Sequence, residues 1–333
     1  MRTTPRHIDI HCHLGIPEAD AIVQQVHPGP PPGINDFACP LTLEVSRRSL
    51  GGIASRLNGL EERLADMERL GIDVQVVSPS PGQFYYHVEP DLGREAARTV
   101  NDGIAAAIAE HPDRFAGMGT VPLQDTQMAV AEMRRCRHEL GLRGIEISSN
   151  VRGRDLHAEE LRPFFAAAEE MDMPLFLHPL GFTHGERMRD YYFNNLIGNP
   201  LESALAVGHL IFGGVLHQHP HLRICVAHGG GFLASYWGRL DHGWHAREDC
   251  RVDCPRPPSS YLRQLWFDTL VFDPQELDAL IRSHGIDRLC LGTDYPFDMA
   301  EPDPVGFLAH LPEPARSRLA GGNAADLFGI PQA

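Results

Sequence analysis

The apolar positions of this chain fall into short blocks that alternate between two spacings. Ile8-Asp9-Ile10-His11-Cys12-His13 reads as a strand, and after a long interval Leu60–Leu70 carries apolar residues three and four apart, a helix that Gly71 closes. Val74-Gln75-Val76-Val77 is a short buried strand and Asp91–Glu110 a long alanine-rich helix. The alternation continues with strand Phe115–Val121 and helix Gln127–Leu140, stopped by Gly141, then strand Gly144–Ile147 and helix Ala158–Met171. Strand Leu175–His178 precedes helix Pro200–His217, and strand Arg223–His228 precedes a short helix after Gly231. Strand Leu265–Thr269, helix Pro274–Ser283, strand Arg288–Thr293 and a helical C-terminal region complete the series.

The strands are apolar on both faces and each is followed by helical sequence, the pattern of a parallel sheet covered by helices. Eight β/α units in 333 residues predict a single (β/α)8 TIM barrel domain over residues 1–333, with an open doubly wound sheet as the alternative. Residues 15–58, rich in Pro and Gly, interrupt the pattern after the first strand and read as a structureless insertion or lid. No repeat or second-domain linker is visible.

Composition narrows the function. A net charge of −15 with no basic cluster argues against nucleic acid. No apolar run approaches the ~20 residues of a membrane span. The short lead into the first strand leaves no room for a signal peptide, so the cytoplasm is the expected location. Seven cysteines at irregular spacing fit a reduced enzyme, and Cys250-x-x-x-Cys254 lacks a second ligand pair. All 29 basic residues are arginine. Without lysine there is no Schiff base, no lysine general base, no phosphate-loop lysine and no carboxylated lysine bridging two metals. Arginine is left to grip carboxylates, which its planar fork does bidentately.

In such a barrel, chemistry gathers at the C-terminal ends of the strands. Those ends carry His11 and His13, which a strand points to one side, then His178, His228 and Asp294. Imidazoles and a carboxylate on one rim are a metal-ligand set. His217, His219 and His221 precede the sixth strand and fall on the opposite face, so they read as surface residues. Gly229-Gly230-Gly231 after His228 leaves room for a ligand, and no Gly-x-Ser-x-Gly elbow supports a serine hydrolase.

Ile8-Asp9-Ile10-His11-Cys12-His13, Leu177-His178-Pro179, Ala227-His228-Gly229-Gly230-Gly231 and Gly292-Thr293-Asp294-Tyr295-Pro296-Phe297 together resemble the amidohydrolase superfamily. Within it they look like the branch around α-amino-β-carboxymuconate-ε-semialdehyde decarboxylase, and the resemblance runs from His7 to about Phe328. It implies one divalent metal, typically zinc with manganese as the alternative, held by His11, His13, His178 and Asp294. It also implies His228 as the acid/base residue beside the metal's water, with Asp294 able to exchange protons with that water. Arg239 matches an arginine that crosses a homodimer interface to the partner's substrate carboxylate. Arg189, Tyr192 and Phe297 fall where the family lines its pocket. Where the family decarboxylase carries a further carboxylate-binding arginine, this chain has Gly51 or a neighbour, with Arg47, Arg48 and Arg56 nearby and Arg47 the candidate substrate ligand.

The expected reaction is non-oxidative decarboxylation of a small unsaturated or aromatic carboxylic acid. The alternative keeps the site and hydrolyses an amide, lactone or imine, or hydrates a carboxylated alkene, because fold and site do not fix substrate. A binding protein without turnover is the reading from another class, and an intact His228 beside a full ligand set argues against it.

Overall fold

The computed structural model describes residues 6–29, 32–33 and 35–331. Eight parallel strands lie side by side in chain order: β1 (Ile8–Leu14), β2 (Val74–Pro79), β3 (Phe115–Gly119), β4 (Gly144–Ile147), β5 (Leu175–Leu177), β6 (Ile224–Val226), β7 (Leu265–Asp268) and β8 (Leu289–Cys290). The eighth strand returns to the first through Ile10 N–H to Leu291 O at 2.9 Å and His13 N–H to Tyr295 O at 2.8 Å. The sheet therefore closes into the expected (β/α)8 barrel, and the doubly wound alternative falls away.

The helices follow the periodicity: α1 (Pro17–Val26), α2 (Pro40–Asn58), α3 (Glu61–Leu70), α4 (Pro90–Glu110), α5 (Thr126–His138), α6 (Arg162–Glu170), α7 (Asn199–Phe212), α8 (Val215–Gln218), α9 (Leu233–Ala246) and α10 (Pro274–His284). Three differences have local causes. The segment 15–58 is not structureless, since α1 and α2 fill most of it. The expected helix Pro200–His217 breaks between α7 and α8, where Gly214 takes φ +77° and a Cβ would lie 2.7 Å from Asp253 O. The helix after Gly231 is fourteen residues long rather than short. A small antiparallel hairpin after β4, Asn150–Val151 against Arg154–Asp155, was not foreseen.

Ile8, Ile10, Val74, Val76, Met118, Phe176, Cys225 and Trp266 form one buried cluster with Leu327 and Phe328 of the C-terminal helix. Phe176 in that cluster packs its ring edge-on to His11, centroids 5.0 Å apart. The packed interior thus carries the first histidine directly on its surface.

Candidate metal centre

The rim of the barrel gathers the residues that the strand ends offered. The His11, His13, His178 and His228 rings stand edge-on to one another, with centroids 5.0–5.2 Å apart for five of their pairs. Asp294 completes the circle. Its Oδ1 lies 3.2 Å from His13 Nε2 and 3.5 Å from His11 Nε2, and its Oδ2 lies 3.8 Å from His228 Nε2. Ligand atoms of His11, His178, His228 and Asp294 fall within 4.8 Å of one another, enough to hold a metal ion.

The hydrogen bonds behind the rings fix which nitrogen faces the centre. His13 Nδ1 donates to Pro79 O at 2.9 Å, because a carbonyl can only accept. His11 Nδ1 donates to the Asp268 carboxylate at 2.6 Å. Both imidazoles therefore keep Nδ1–H on an outer acceptor and turn Nε2 inward, the nitrogen that a metal would take in place of a proton. These two Nε2 atoms are buried without a hydrogen-bond partner, as are both ring nitrogens of His178. Buried polar atoms in folded proteins are nearly always paired, so orphaned nitrogens converging on one carboxylate fit a divalent cation.

The electrostatics show the demand of the rim for positive charge: burial pulls the His11 pKa down, yet Asp294 and Asp268 push it up to about 10. Burial pushes the Asp294 carboxyl up, yet His11 beside it and the facing imidazoles hold it well below the usual carboxylate range. Burial and the neighbouring imidazoles drive the His178 pKa well down, keeping it neutral. Two backbone features aim the site: His228 and Asp294 hold φ of +56° and +64°, a left-handed conformation uncommon outside glycine.

Sequence reasoning passed over two carboxyls here. Asp268, the last residue of β7, accepts not only from His11 but also from the backbone N–H of His228 at 2.9 Å and of Gly229 at 2.7 Å. Glu146 in β4 is fully buried, 3.8 Å from His13 Nδ1, and burial pushes its pKa well up. A charged residue within an otherwise apolar strand is the signal that could have found both.

A cleft of about 690 Å³ opens above the centre, with His178 and Asp294 in its floor. One face of α2 (Leu43, Ser46, Arg47 and Leu50) forms one wall, and Tyr192, Phe297 and Met299 stand among the others. Arg47, Tyr192 and Phe297 are thus brought together at the cleft. Arg189 is exposed and outside it, and its carbonyl accepts from Cys39 N–H at 2.9 Å. Arg48 is exposed, and Arg56 bonds to Gly52 O within its own helix. Arg239 is exposed on α9, away from the cleft of its own chain. His219 is paired with Glu169 at 2.9 Å, a structural contact remote from the rim.

Known proteins share this arrangement. Residues 8–330 match the amidohydrolase family model. The chain is 39% identical over 272 residues to 2-amino-3-carboxymuconate-6-semialdehyde decarboxylase of Dictyostelium discoideum, covering 80% of this chain and 76% of that one. Gamma-resorcylate decarboxylase of Rhodococcus jostii is 30% identical over 322 residues, 88% of this chain and 96% of its own. Among solved structures, 5-carboxyvanillate decarboxylase of Novosphingobium aromaticivorans, holding manganese and 3-methoxy-4-hydroxy-5-nitrobenzoic acid, superposes with a TM-score of 0.87 at 26% identity, over 97% of each chain. No helix among the described residues is long and apolar enough to cross a membrane. The closed barrel, the histidines converging on its rim and a family match running almost from end to end lead to one conclusion: the chain belongs to the amidohydrolase family.

Proposed function

We propose that this protein is a metal-dependent non-oxidative decarboxylase of a small aromatic or unsaturated carboxylic acid. The observation that carries the reading is the convergence of unpartnered imidazole nitrogens and Asp294 beneath a cleft whose α2 wall sets Arg47 among apolar side chains. Decarboxylases acting on related acids are similar to the chain over most of its length, which supports it. In this reading His11, His13, His178 and Asp294 hold one divalent ion. Zinc is the ion that imidazole-rich sites favour, and the manganese in the 5-carboxyvanillate enzyme makes metal content the first measurement. Such an ion supplies Lewis-acid polarisation of a substrate oxygen and of water.

The chain's own residues do the rest. Arg47 grips the substrate carboxylate, and Tyr192 and Phe297 flank the body of the substrate. When the bond to CO2 breaks, its electron pair stays on the substrate carbon, which must then take a proton. His228, with Nε2 facing the centre, delivers it. We further infer a homodimer through α9, where Tyr236 and Arg239 share one exposed helical face with Phe232 just ahead of the first turn. Seven free cysteines favour a cytoplasmic location.

The test is incubation of metal-replete protein with aromatic and muconate-type acids while CO2 is measured. CO2 release, with solvent deuterium appearing on the carbon that lost it, supports the proposal. C–N or C–O cleavage without CO2, or solvent 18O in the product, overturns it in favour of hydrolysis or hydration.

A further inference from the structure

On the outer wall of the barrel, three side chains outside the rim centre converge. The hairpin after β4 pairs Asn150 with Asp155 and Val151 with Arg154, across a turn in which Arg152 and Gly153 hold φ of +57° and +79°. That turn leaves Asp155 against the last turn of α7, where its Oδ2 lies 3.2 Å from His209 Nε2. His157, two residues further on, stacks its ring on His209 with centroids 4.6 Å apart and planes 14° from parallel. The His157 backbone is held against the end of α7. A Cβ on Gly213 would lie 2.4 Å from His157 Cβ, and Arg162 donates to both His157 O and Gly213 O.

As a His–Asp ion pair with a ring stacked on it, this cluster leaves one atom unexplained: His157 Nδ1 is buried with no hydrogen-bond partner. Ligand atoms of all three residues already lie within 4.8 Å of one another. The His209 and Asp155 side chains are 35% and 43% exposed, so an ion can reach them from solvent. Tetrahedral coordination at zinc bond lengths needs ligand atoms about 3.3 Å apart. With the two ring planes 14° apart, the His209 ring must turn to aim a nitrogen at an ion shared with His157, and its exposed edge leaves it room to do so.

We propose that Asp155, His157 and His209 form a second binding site for a divalent transition metal of the zinc class, separate from the rim. Two imidazoles and one carboxylate select zinc, copper or nickel over magnesium and calcium. Three protein ligands leave a fourth position to water. The ion staples the β4–β5 connection to α7, next to the contacts that Ser149 and Asn150 already make with Glu202 of that helix at 2.9 and 3.2 Å.

The test counts zinc per chain in the full-length protein after equilibration with micromolar zinc and gel filtration. The His157→Ala/His209→Ala double variant should hold one zinc fewer than the parent, with unchanged circular dichroism, and should lose part of the zinc-induced rise in melting temperature. His209→Gln, which keeps a hydrogen-bonding side chain but no imidazole, should also hold one fewer and carries the comparison should the double variant not fold. His217→Ala/His221→Ala should match the parent. Equal zinc in parent and His209→Gln, or a loss that follows His217 and His221 instead, overturns the proposal. The difference between variants is what is read. A failure of the rim assignment lowers the total in every sample and leaves this comparison intact.

Discussion

Asp268→Asn asks whether one buried carboxylate orders both halves of the centre. Its Oδ2 accepts from His11 Nδ1 at 2.6 Å and from His228 N–H at 2.9 Å, and its Oδ1 accepts from the N–H groups of Gly229 at 2.7 Å and Leu270 at 3.1 Å. Asparagine has a single acceptor oxygen. Whichever way the amide turns, its NH2 meets two N–H donors and neither pair can be rescued by a flip. A buried donor left unpaired costs roughly 1–3 kcal/mol, so two cost about 2–6 kcal/mol. That loss divides between folding and the ordering of His11 and His228. Removing the carboxylate behind a ligating imidazole typically weakens metal binding about 10- to 100-fold, which is ~1.4–2.8 kcal/mol. The assay is metal affinity by chelator competition, paired with the urea midpoint of the metal-free protein. Asp268→Asn should bind metal 10- to 100-fold more weakly, unfold at lower urea and turn over more slowly because His228 is no longer anchored. Parental metal affinity together with a parental midpoint would refute the role of Asp268.

Four further outcomes follow from the same structure. His178→Ala and Asp294→Ala should each lose bound metal, and with it the stability that the loaded site adds; elemental analysis finding full occupancy in both contradicts the ligand set. Gly231→Ala should destabilise by about 3 kcal/mol or more in urea melts, since its φ of +63° and ψ of −125° suit only glycine and the new Cβ would lie 2.4 Å from Pro200 O. Burial lowers the His284 pKa from 6.5 to about 4, and neither ring nitrogen has a partner. The unfolded chain then binds this proton more readily, so stability falls as pH drops from about 6.5 to about 4, by a total of about 3 kcal/mol; His284→Leu should flatten that limb, and an unchanged pH slope in chemical melts counts against it. Arg47→Ala should raise KM for the carboxylate at least 10-fold, the scale of one charge-assisted hydrogen bond, while Arg189→Ala leaves KM within twofold; equal effects would remove Arg47 from the cleft's chemistry.

Much of this was readable from the chain, and the failures have physical causes. Strand and helix periods are local properties, and the barrel follows from counting them. The rim histidines follow because strand ends in such a barrel face one way. The α1–α2 segment escapes the sequence reading because its Pro- and Gly-rich composition is that of a loop. Pro17 and Pro40 instead sit in the first turn of their helices, where no intrahelical N–H bond is lost. Helix α2 also buries only Ile53 and exposes Leu41, Val45 and Leu50, so no core-facing stripe advertised it. Asp268 stayed hidden for a different reason. Its charge at the end of an apolar strand marks it as unusual, but its partner His11 is 257 residues away and the local sequence does not say which residue it serves.

The two parts of the site are built to different standards of rigidity. At the rim, the left-handed conformations of His228 and Asp294 cost of order 1–3 kcal/mol each. They are sustained because His228 N–H is held by Asp268 and Asp294 N–H by His11 O at 2.7 Å. Asp268 thus fixes the His11 ring and the His228 backbone together, and His11 fixes Asp294 in turn. A shift in any one disturbs the rest, so the chemistry tolerates little change. The wall of the cleft is held loosely by comparison. Apart from Ile53, α2 is tied mainly by hydrogen bonds near its ends and along its exposed side: Ser49 to Asp298 at 3.0 Å, Ser46 to Asn35 at 3.1 Å, Ser55 to Glu62 at 2.9 Å, Arg63 to Arg56 O at 3.1 Å, Cys39 N–H to Arg189 O at 2.9 Å and Gly15 N–H to Leu57 O at 2.9 Å. Leu43, Ser46, Arg47 and Leu50 can be exchanged without unpacking the barrel, because none of them belongs to its core. In the proposed reaction, selection among carboxylate substrates therefore rests on α2, and the proton transfer rests on the rim that α2 covers.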